Sequence, residues 1–332
     1  METFEATRAQ DIDVSFVVPC HNEVANVGPL ADRIAECFCT DGIRCEMVLI
    51  DDGSTDGTLD ALRALVERSR EIDDLSAFPR ITVASFSRNF GKESALYAGI
   101  DMASGTLLCF IDADLQQDPA TAREMYDYLE AHDDCDIVAA YQENRKEGKV
   151  ISWLKERFYG VFNATSDEIE LPTNMSDFRM FRRSVADALL SMPEYFRFTK
   201  GLFAWVGFSS HAIPYTVHER KSGTSNWNAR SLFKYAFEGI TAFSTWPLKA
   251  LKYIGGLFAV LSGLYLLYVL IVDYLILGNT IPGYATLVCL ILMFGGLQLA
   301  AIGIVGDYLA RSYVEGKRRP LYIVRESFSS KE

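Results

Sequence analysis

The sequence predicts an α/β domain on a mainly parallel sheet, followed by interfacial helices and two transmembrane helices. Three observations carry that expectation. Short apolar runs alternate with helix-length segments as far as residue 140, the pattern of βαβ units. Several of those runs stop abruptly at acids or at glycine-rich polar turns, where a strand gives way to a loop. Residues 253–272 and 284–306 are uncharged apolar runs, each long enough to span a hydrocarbon core.

Taken in order, VSFVV at 14–18 is a buried-strand pattern closed by Pro19, with a helix starting near Asn22 and Glu23. CEMVLI at 45–50 is a second strand; it ends in Asp51 and Asp52, and the polar turn GSTDGT then opens a helix from about Leu59. Residues 81–85 give a third strand, 92–103 a helix, 106–111 a fourth strand, 119–131 a helix and 136–140 a fifth strand. In such sheets ligands bind at the carboxyl ends of the strands, where both acidic clusters fall. Beyond Tyr141 the alternation stops. Residues 149–163 read as a helix carrying Lys155 and Arg157, and 176–183 and 218–227 are polar, basic segments. Residues 231–246 are amphipathic with an aromatic-rich face, which before an apolar run suits the membrane interface, with a docked core helix as the alternative.

The connector at 273–283 has no Lys or Arg, whereas Lys249 and Lys252 precede the first span and Lys317, Arg318 and Arg319 follow the second. The positive-inside rule then puts both termini and the α/β domain in the cytoplasm of a multi-pass cell-membrane protein. The acidic, polar N-terminus has no secretory signal pattern. A net charge of −12 argues against a nucleic-acid partner. Seven cysteines without a CxxC pair suit a reducing compartment with unbridged thiols, and the four scattered histidines read as structural or surface residues.

The chemistry concentrates in FIDADLQQD at 110–118. In a strand, alternate residues share a face, so Asp112 and Asp114 point the same way at the strand's tip. With Gln116 they form an all-oxygen cluster suited to Mg²⁺ or Mn²⁺, and a diphosphate-bearing substrate would complete the coordination. By themselves the aspartates equally suit a turn that caps the next helix.

PCHNE at 19–23, DDGSTDGT at 51–58, SRNFGKESALYAGI at 87–100 and DADLQ at 112–116 together resemble a family-2 glycosyltransferase. SDFRMFRR, HERKSGTSNW and the two apolar runs resemble its polyprenyl-phosphate branch, which includes bactoprenol glucosyltransferases and dolichyl-phosphate mannose synthases. The resemblance implies a Rossmann-like GT-A catalytic domain at 1–228, an amphipathic juxtamembrane helix at 229–250, a transmembrane hairpin at 251–309 and a cytoplasmic tail at 310–332. It implies that Pro19, Asn22, Glu23, Asp51, Asp52, Lys92, Asp112 and Ser222 bind a nucleotide diphosphate sugar. Asp112, Asp114 and Gln116 would hold Mg²⁺ or Mn²⁺, and Asp112, Asp114, Asp177 and Arg220 would serve catalysis. Backbone N–H groups around Arg88, Asn89 and Gly91, with the Lys92 cation, would hold phosphate or the sugar's surroundings. Arg145, Arg157, Arg179 and Lys221 would hold the acceptor phosphate. Asp177 is a base or acceptor-side carboxylate, with charge pairing to Arg179 or Arg182 as the alternative.

The expected reaction is inverting transfer of a hexose, glucose from UDP-glucose, to a polyprenyl phosphate at the cytoplasmic membrane face. GDP-mannose or another UDP-sugar as donor, a processive synthase and a non-catalytic scaffold are the alternatives. Gly255, Gly256, Gly295, Gly296 and Gly303 permit close helix contacts and a homo-oligomer. Where relatives often carry Lys after the serine of the KSGTS motif, this chain has Asn226, and any role of that lysine is in doubt.

Overall fold

The structure, a computed structural model, describes residues 12–72, 74–142, 160, 175–215, 246–268, 271 and 283–331. The expected helix at 149–163 (Gly160 apart), the basic segment at 218–227, the amphipathic stretch before Trp246 and the sites at Arg145, Arg157, Arg220, Lys221 and Ser222 lie outside the described residues.

The α/β expectation is met. Strands β1 (Val14–Cys20), β2 (Cys45–Asp51), β3 (Arg80–Phe86) and β4 (Leu107–Phe110) alternate with helices α1 (Val27–Cys37), α2 (Thr58–Ile72) and α3 (Lys92–Met102). Then come α4 (Pro119–Ala131), β5 (Ile137–Gln142), β6 (Met175–Arg182), α5 (Arg183–Leu190), α6 (Thr199–Trp205) and β7 (Ser210–Tyr215). Helices α7 (Trp246–Tyr268) and α8 (Tyr284–Gly316) and strand β8 (Val324–Ser329) complete the described elements. They make one sheet in the order β7-β5-β6-β4-β1-β2-β3-β8. The pairs β1–β2, β1–β4, β2–β3 and β5–β7 are parallel. The pairs β4–β6, β5–β6 and β3–β8 are antiparallel.

Both sheet faces are covered, which is why the central strands read as unbroken apolar runs. Phe16, Val18, Met47, Leu49 and Cys109 point to one packed face, with α1, α2 and α4. Val17, Val48, Ile50, Leu108 and Phe110 point to the other, with α3, α5 and α6. At Gly99 the approach of α3 to β1 is so close that a Cβ would lie 2.2 Å from Val17 Cγ1. Cys20, Cys37, Cys39, Cys45, Cys109 and Cys135 are free thiols.

Two elements depart from expectation. The segment read as polar and basic, 176–183, contains β6, a strand in the middle of the sheet. Its alternation is masked by charge: Phe178 and Met180 enter one core, whereas Asp177, Arg179 and Phe181 take the opposite side. The C-terminal segment, expected as a tail, supplies edge strand β8 beside β3. Tyr322 stacks on Phe86 at 5.0 Å and donates its hydroxyl to Asp101 Oδ2 at 3.2 Å.

Among the described residues one helical stretch, Met293–Gly316 within α8, is long and apolar enough to cross a membrane; Tyr253–Tyr265 in α7 is a shorter apolar stretch. Both helices carry exposed apolar side chains: Leu257, Leu261, Leu299, Ile302 and Leu309 are each at least half exposed. Among the described residues a second full-length span is not seen.

Candidate active site

The site is built on the loops that leave the carboxyl ends of β1, β2, β3 and β4. Asp52 organises them. Its Oδ1 accepts from Phe90 N at 2.6 Å and its Oδ2 from Gly91 N at 2.9 Å, so the loop after β2 holds the loop after β3. Asp52 is 4% exposed, and burial raises its carboxyl above the ordinary range against the pull of those two donors. The Gly91 N–H, expected to face a ligand, is therefore occupied within the protein, as is that of Phe90. Asp51, 1% exposed, accepts from Ser54 N at 3.0 Å and Ser85 Oγ at 2.7 Å.

Gly53 makes the approach of these loops possible. Its φ is +67°, and a Cβ there would stand 2.7 Å from Arg88 C and 2.8 Å from Asn89 N. Both are main-chain atoms that cannot swing aside. Gly53→Ala is expected to cost about 1–3 kcal/mol, read as a lowered thermal midpoint of the full chain in detergent. An unchanged midpoint would contradict the close approach.

The β1 loop joins by similar bonds. Asn22, at φ +61°, donates its N–H to Ser54 Oγ at 3.0 Å and accepts from Thr55 N at 2.9 Å. Glu23 N donates to Thr58 Oγ1 at 2.9 Å, and Glu23 Oε2 accepts from Asn26 Nδ2 at 2.6 Å. Pro19 lies in β1, paired with Ile50. His21, read from sequence as structural or surface, brings its Nδ1 to 2.9 Å from the Asp52 carbonyl oxygen and belongs to this cluster.

Asp112 and Asp114 lie after the end of β4, Asp114 already in a turn; both are partly exposed, while Ala113 between them is buried. The capping alternative goes to another residue. Asp118, before Pro119, accepts from Ala120 N at 3.0 Å and caps α4. Leu115, at φ +60°, turns the chain, and Gln116 N donates to Asp114 Oδ1 at 3.2 Å. Beside Asp112 stands Gln117: its Oε1 accepts from Asp112 N at 2.9 Å and its Nε2 donates to Asp112 Oδ2 at 3.3 Å. The sequence offered two adjacent glutamines and no means of telling which one turns inward.

The β4–β6 register explains what surrounds Asp112. Phe110 pairs with Arg179 in an antiparallel ladder. The ladder ends at that pair, and beyond it Asp112, two residues after Phe110, and Asp177, two residues before Arg179, come together at Lys92. Facing like charges repel unless a cation intervenes. Lys92, the first residue of α3, supplies it, with Nζ 2.6 Å from Asp112 Oδ1 and 3.6 Å from Asp177 Oδ2. Burial pulls the Lys92 ammonium down, yet the two carboxylates raise it overall. Asp177 also meets Lys200 at 3.8 Å. Burial pushes the Asp177 carboxyl up, but Lys200, Lys92 and Arg179 together hold it below the ordinary range. It pairs with two lysines and also feels the Arg179 charge, one of the two arginines expected to pair with it, whereas among the described residues Arg182 approaches Asp133, at 3.9 Å. Arg179 is 3% exposed, donates Nη2 to Ser176 O at 2.8 Å and lies 4.2 Å from the Phe203 ring centroid.

Among the described residues no group of three or more His, Cys, Asp and Glu is arranged to hold a metal ion. Two carboxylates with an amide nearby still fit a hard divalent cation that keeps waters and takes phosphate oxygens as further ligands. That donor set suits Mg²⁺ and Mn²⁺ and does not suit a metal that needs a full protein cage.

In a mostly parallel α/β sheet, ligands bind in the crevice at the carboxyl ends of the strands, where these acids and Lys92 stand. The chain belongs to glycosyl transferase family 2, whose model matches residues 15–190. It is a glycosyltransferase. An uncharacterized glycosyltransferase of Synechocystis sp. is 39% identical over 317 residues, covering 95% of this chain and 95% of its own length. An SfII prophage-derived bactoprenol glucosyl transferase of Shigella flexneri is 36% identical over 314 residues, covering 95% and 98%. Among solved structures, glucosyl-3-phosphoglycerate synthase of Mycobacterium tuberculosis in complex with phosphoglyceric acid aligns with a TM-score of 0.49 at 19% identity, over 71% of this chain and 80% of that one.

Proposed function

We propose that the chain transfers glucose from UDP-glucose to a polyprenyl phosphate at the cytoplasmic face of the membrane, with inversion at the anomeric carbon. The supporting observation is the juxtaposition of Asp112 with Asp177 across Lys92, at the open end of a sheet whose chain continues into a long, outward-facing apolar helix. Bactoprenol glucosyl transferases of similar length and 36% identity support the lipid acceptor and the sugar.

Asp112 and Asp114, with Gln116 beside them, would hold Mg²⁺ or Mn²⁺. That ion would supply charge neutralisation of the departing nucleoside diphosphate. Pro19, Asn22, Glu23, Asp51 and Asp52 shape the nucleotide side, the two acids mainly by fixing the loops. Lys92 keeps positive charge at the junction of donor and acceptor. A lipid phosphate is largely ionised near neutral pH, so its oxygen attacks without a strong base. Arg145, Arg157, Arg220, Lys221 and Ser222 remain proposed ligands of acceptor and donor, and a two-span membrane anchor remains proposed for the C-terminal half.

Membranes containing the chain, incubated with radiolabelled UDP- and GDP-sugars and then extracted, are expected to yield labelled lipid from UDP-glucose. Label from GDP-mannose in its place would reassign the donor. No labelled lipid from any donor would overturn the function.

A further inference from the structure

We infer that Lys200 and Lys92, held on either side of Asp177, form the seat of the acceptor's phosphate, with Lys200 as the cation on the lipid side. This rests on the lipid-phosphate function proposed above. Lys200 belongs to none of the motifs that carry the family resemblance, and its place beside Asp177 becomes visible only once α6 folds against β6.

Charge comes first. Lys92 and Lys200 approach a single carboxylate at 3.6 and 3.8 Å. These separations are charge contacts longer than a direct hydrogen bond. Each ammonium carries three donors, and an anion lying between the two lysines can take one from each. Phosphate can accept from both ammonium groups at once. Asp177 then acts as a strut. It holds two like charges near each other before the phosphate arrives, and takes no proton from a nucleophile that is already ionised.

The side from which the anion comes is set by α6. The segment leading into this helix is tied to the end of α8: Tyr195 N and Phe196 N donate to Glu315 Oε1 at 2.8 and 3.3 Å. Arg311 lies 5.1 Å from the Phe196 ring centroid. Tyr195, Phe196 and Trp205, at the two ends of α6, are 43%, 37% and 52% exposed. The amphipathic rings of Tyr195 and Trp205 suit a bilayer boundary. Lys200 therefore stands on the wall joined to the apolar helix, and Lys92 stands on the wall joined to Asp112. A phosphate bridging them has its lipid tail toward α8 and its attacking oxygen toward the donor.

The neighbour of Lys200 fixes its position. Thr199 N donates to Glu93 Oε2 at 3.1 Å, and Thr199 Oγ1 donates to the same oxygen. Glu93 follows Lys92 in the first turn of α3. Adjacent residues of α3 thus hold adjacent residues of α6, which sets the spacing of the two lysines.

The test measures initial rates of the full chain in detergent, varying UDP-glucose and a polyprenyl phosphate separately. Lys200→Met is expected to raise the acceptor KM roughly tenfold while the donor KM stays within about twofold, the loss of one charge-assisted contact. Lys200→Arg is expected to stay within about threefold of wild type. Calorimetric binding of UDP with Mn²⁺ should be equal in all three, which also shows that the variants are folded. An unchanged acceptor KM in Lys200→Met, or a rise in donor KM in its place, would overturn the inference; so would an equal rise in Lys200→Arg. A wild-type chain that shows no dependence on the polyprenyl phosphate would overturn the proposed function itself, a separate outcome.

Discussion

Asp112→Asn is expected to reduce sugar transfer by about a thousandfold while leaving the chain folded and inserted. Asparagine preserves shape, and its Oδ1 can still accept from Gln117 Nε2, which lies 3.3 Å from Asp112 Oδ2. What is lost is one negative charge, on which both Lys92, at 2.6 Å, and the proposed divalent ion depend. Several kcal/mol of charge neutralisation at the leaving group corresponds to roughly that factor in rate. Lys92 keeps Asp177 as a partner at 3.6 Å, so the fold loses little. Asp114→Asn should behave alike. Rates with labelled donor, Mn²⁺ binding followed by electron paramagnetic resonance, and thermal midpoint are the measurements. Chelation of divalent ions should bring the wild type down to the level of the variants, with no further effect on them. Wild-type-like turnover in Asp114→Asn would sink the metal assignment.

Asp52→Ala should act through the fold and the site together. It removes the acceptor of two partly buried N–H groups, Phe90 at 2.6 Å and Gly91 at 2.9 Å, and leaves both without that partner. Each lost bond to a charged acceptor is worth about 1–2 kcal/mol, so the variant should lose roughly 2–4 kcal/mol and 5–15 °C of thermal midpoint. Gly91 immediately precedes Lys92, so release of this turn lets the first turn of α3 shift and carries the lysine away from Asp112 and Asp177. Donor affinity should fall with stability. Asp52→Asn restores one acceptor but sets an amide N–H₂ against a backbone N–H, so it should recover only part of the loss. An Asp52→Ala chain that melts with the wild type would show that the loops hold together without this carboxylate.

How much of this was legible depends on the range of the interactions involved. Strands β1 to β4 were readable because burial on both faces leaves unbroken apolar runs, and turn residues such as Gly53 and Gly57 close them. Asp112 and Asp114 were readable because their spacing of two coincides with the period of an extended chain. Strand β6 was not readable. Four charged residues between 177 and 183 hide its alternation, and their partners arrive from elsewhere: Lys92 and Lys200 for the partly exposed Asp177, Ser176 O and the Phe203 ring for the buried Arg179. Strand β8 was hidden for a similar reason, since its polar alternation looks like a solvated tail until β3 offers a free edge.

The sequence by itself determined the α/β class, the family, the acid pair after the fourth strand and a long apolar helix near the C-terminus. Each of these is written in local periodicity or in a contiguous motif, and periodicity needs no knowledge of which segments meet. Tertiary structure alone decided that Asp112 faces Asp177, that Lys92 stands between them, that Gln117 braces Asp112, and that Asp118 frees the acid pair from capping α4. It alone brought Lys200 to the other side of Asp177 and tied α6 to the end of α8 through Glu315. These pairings depend on strand register and helix docking, which bring together residues far apart in the chain, and charges that look like a solvated surface in sequence become a site only when their partners reach them.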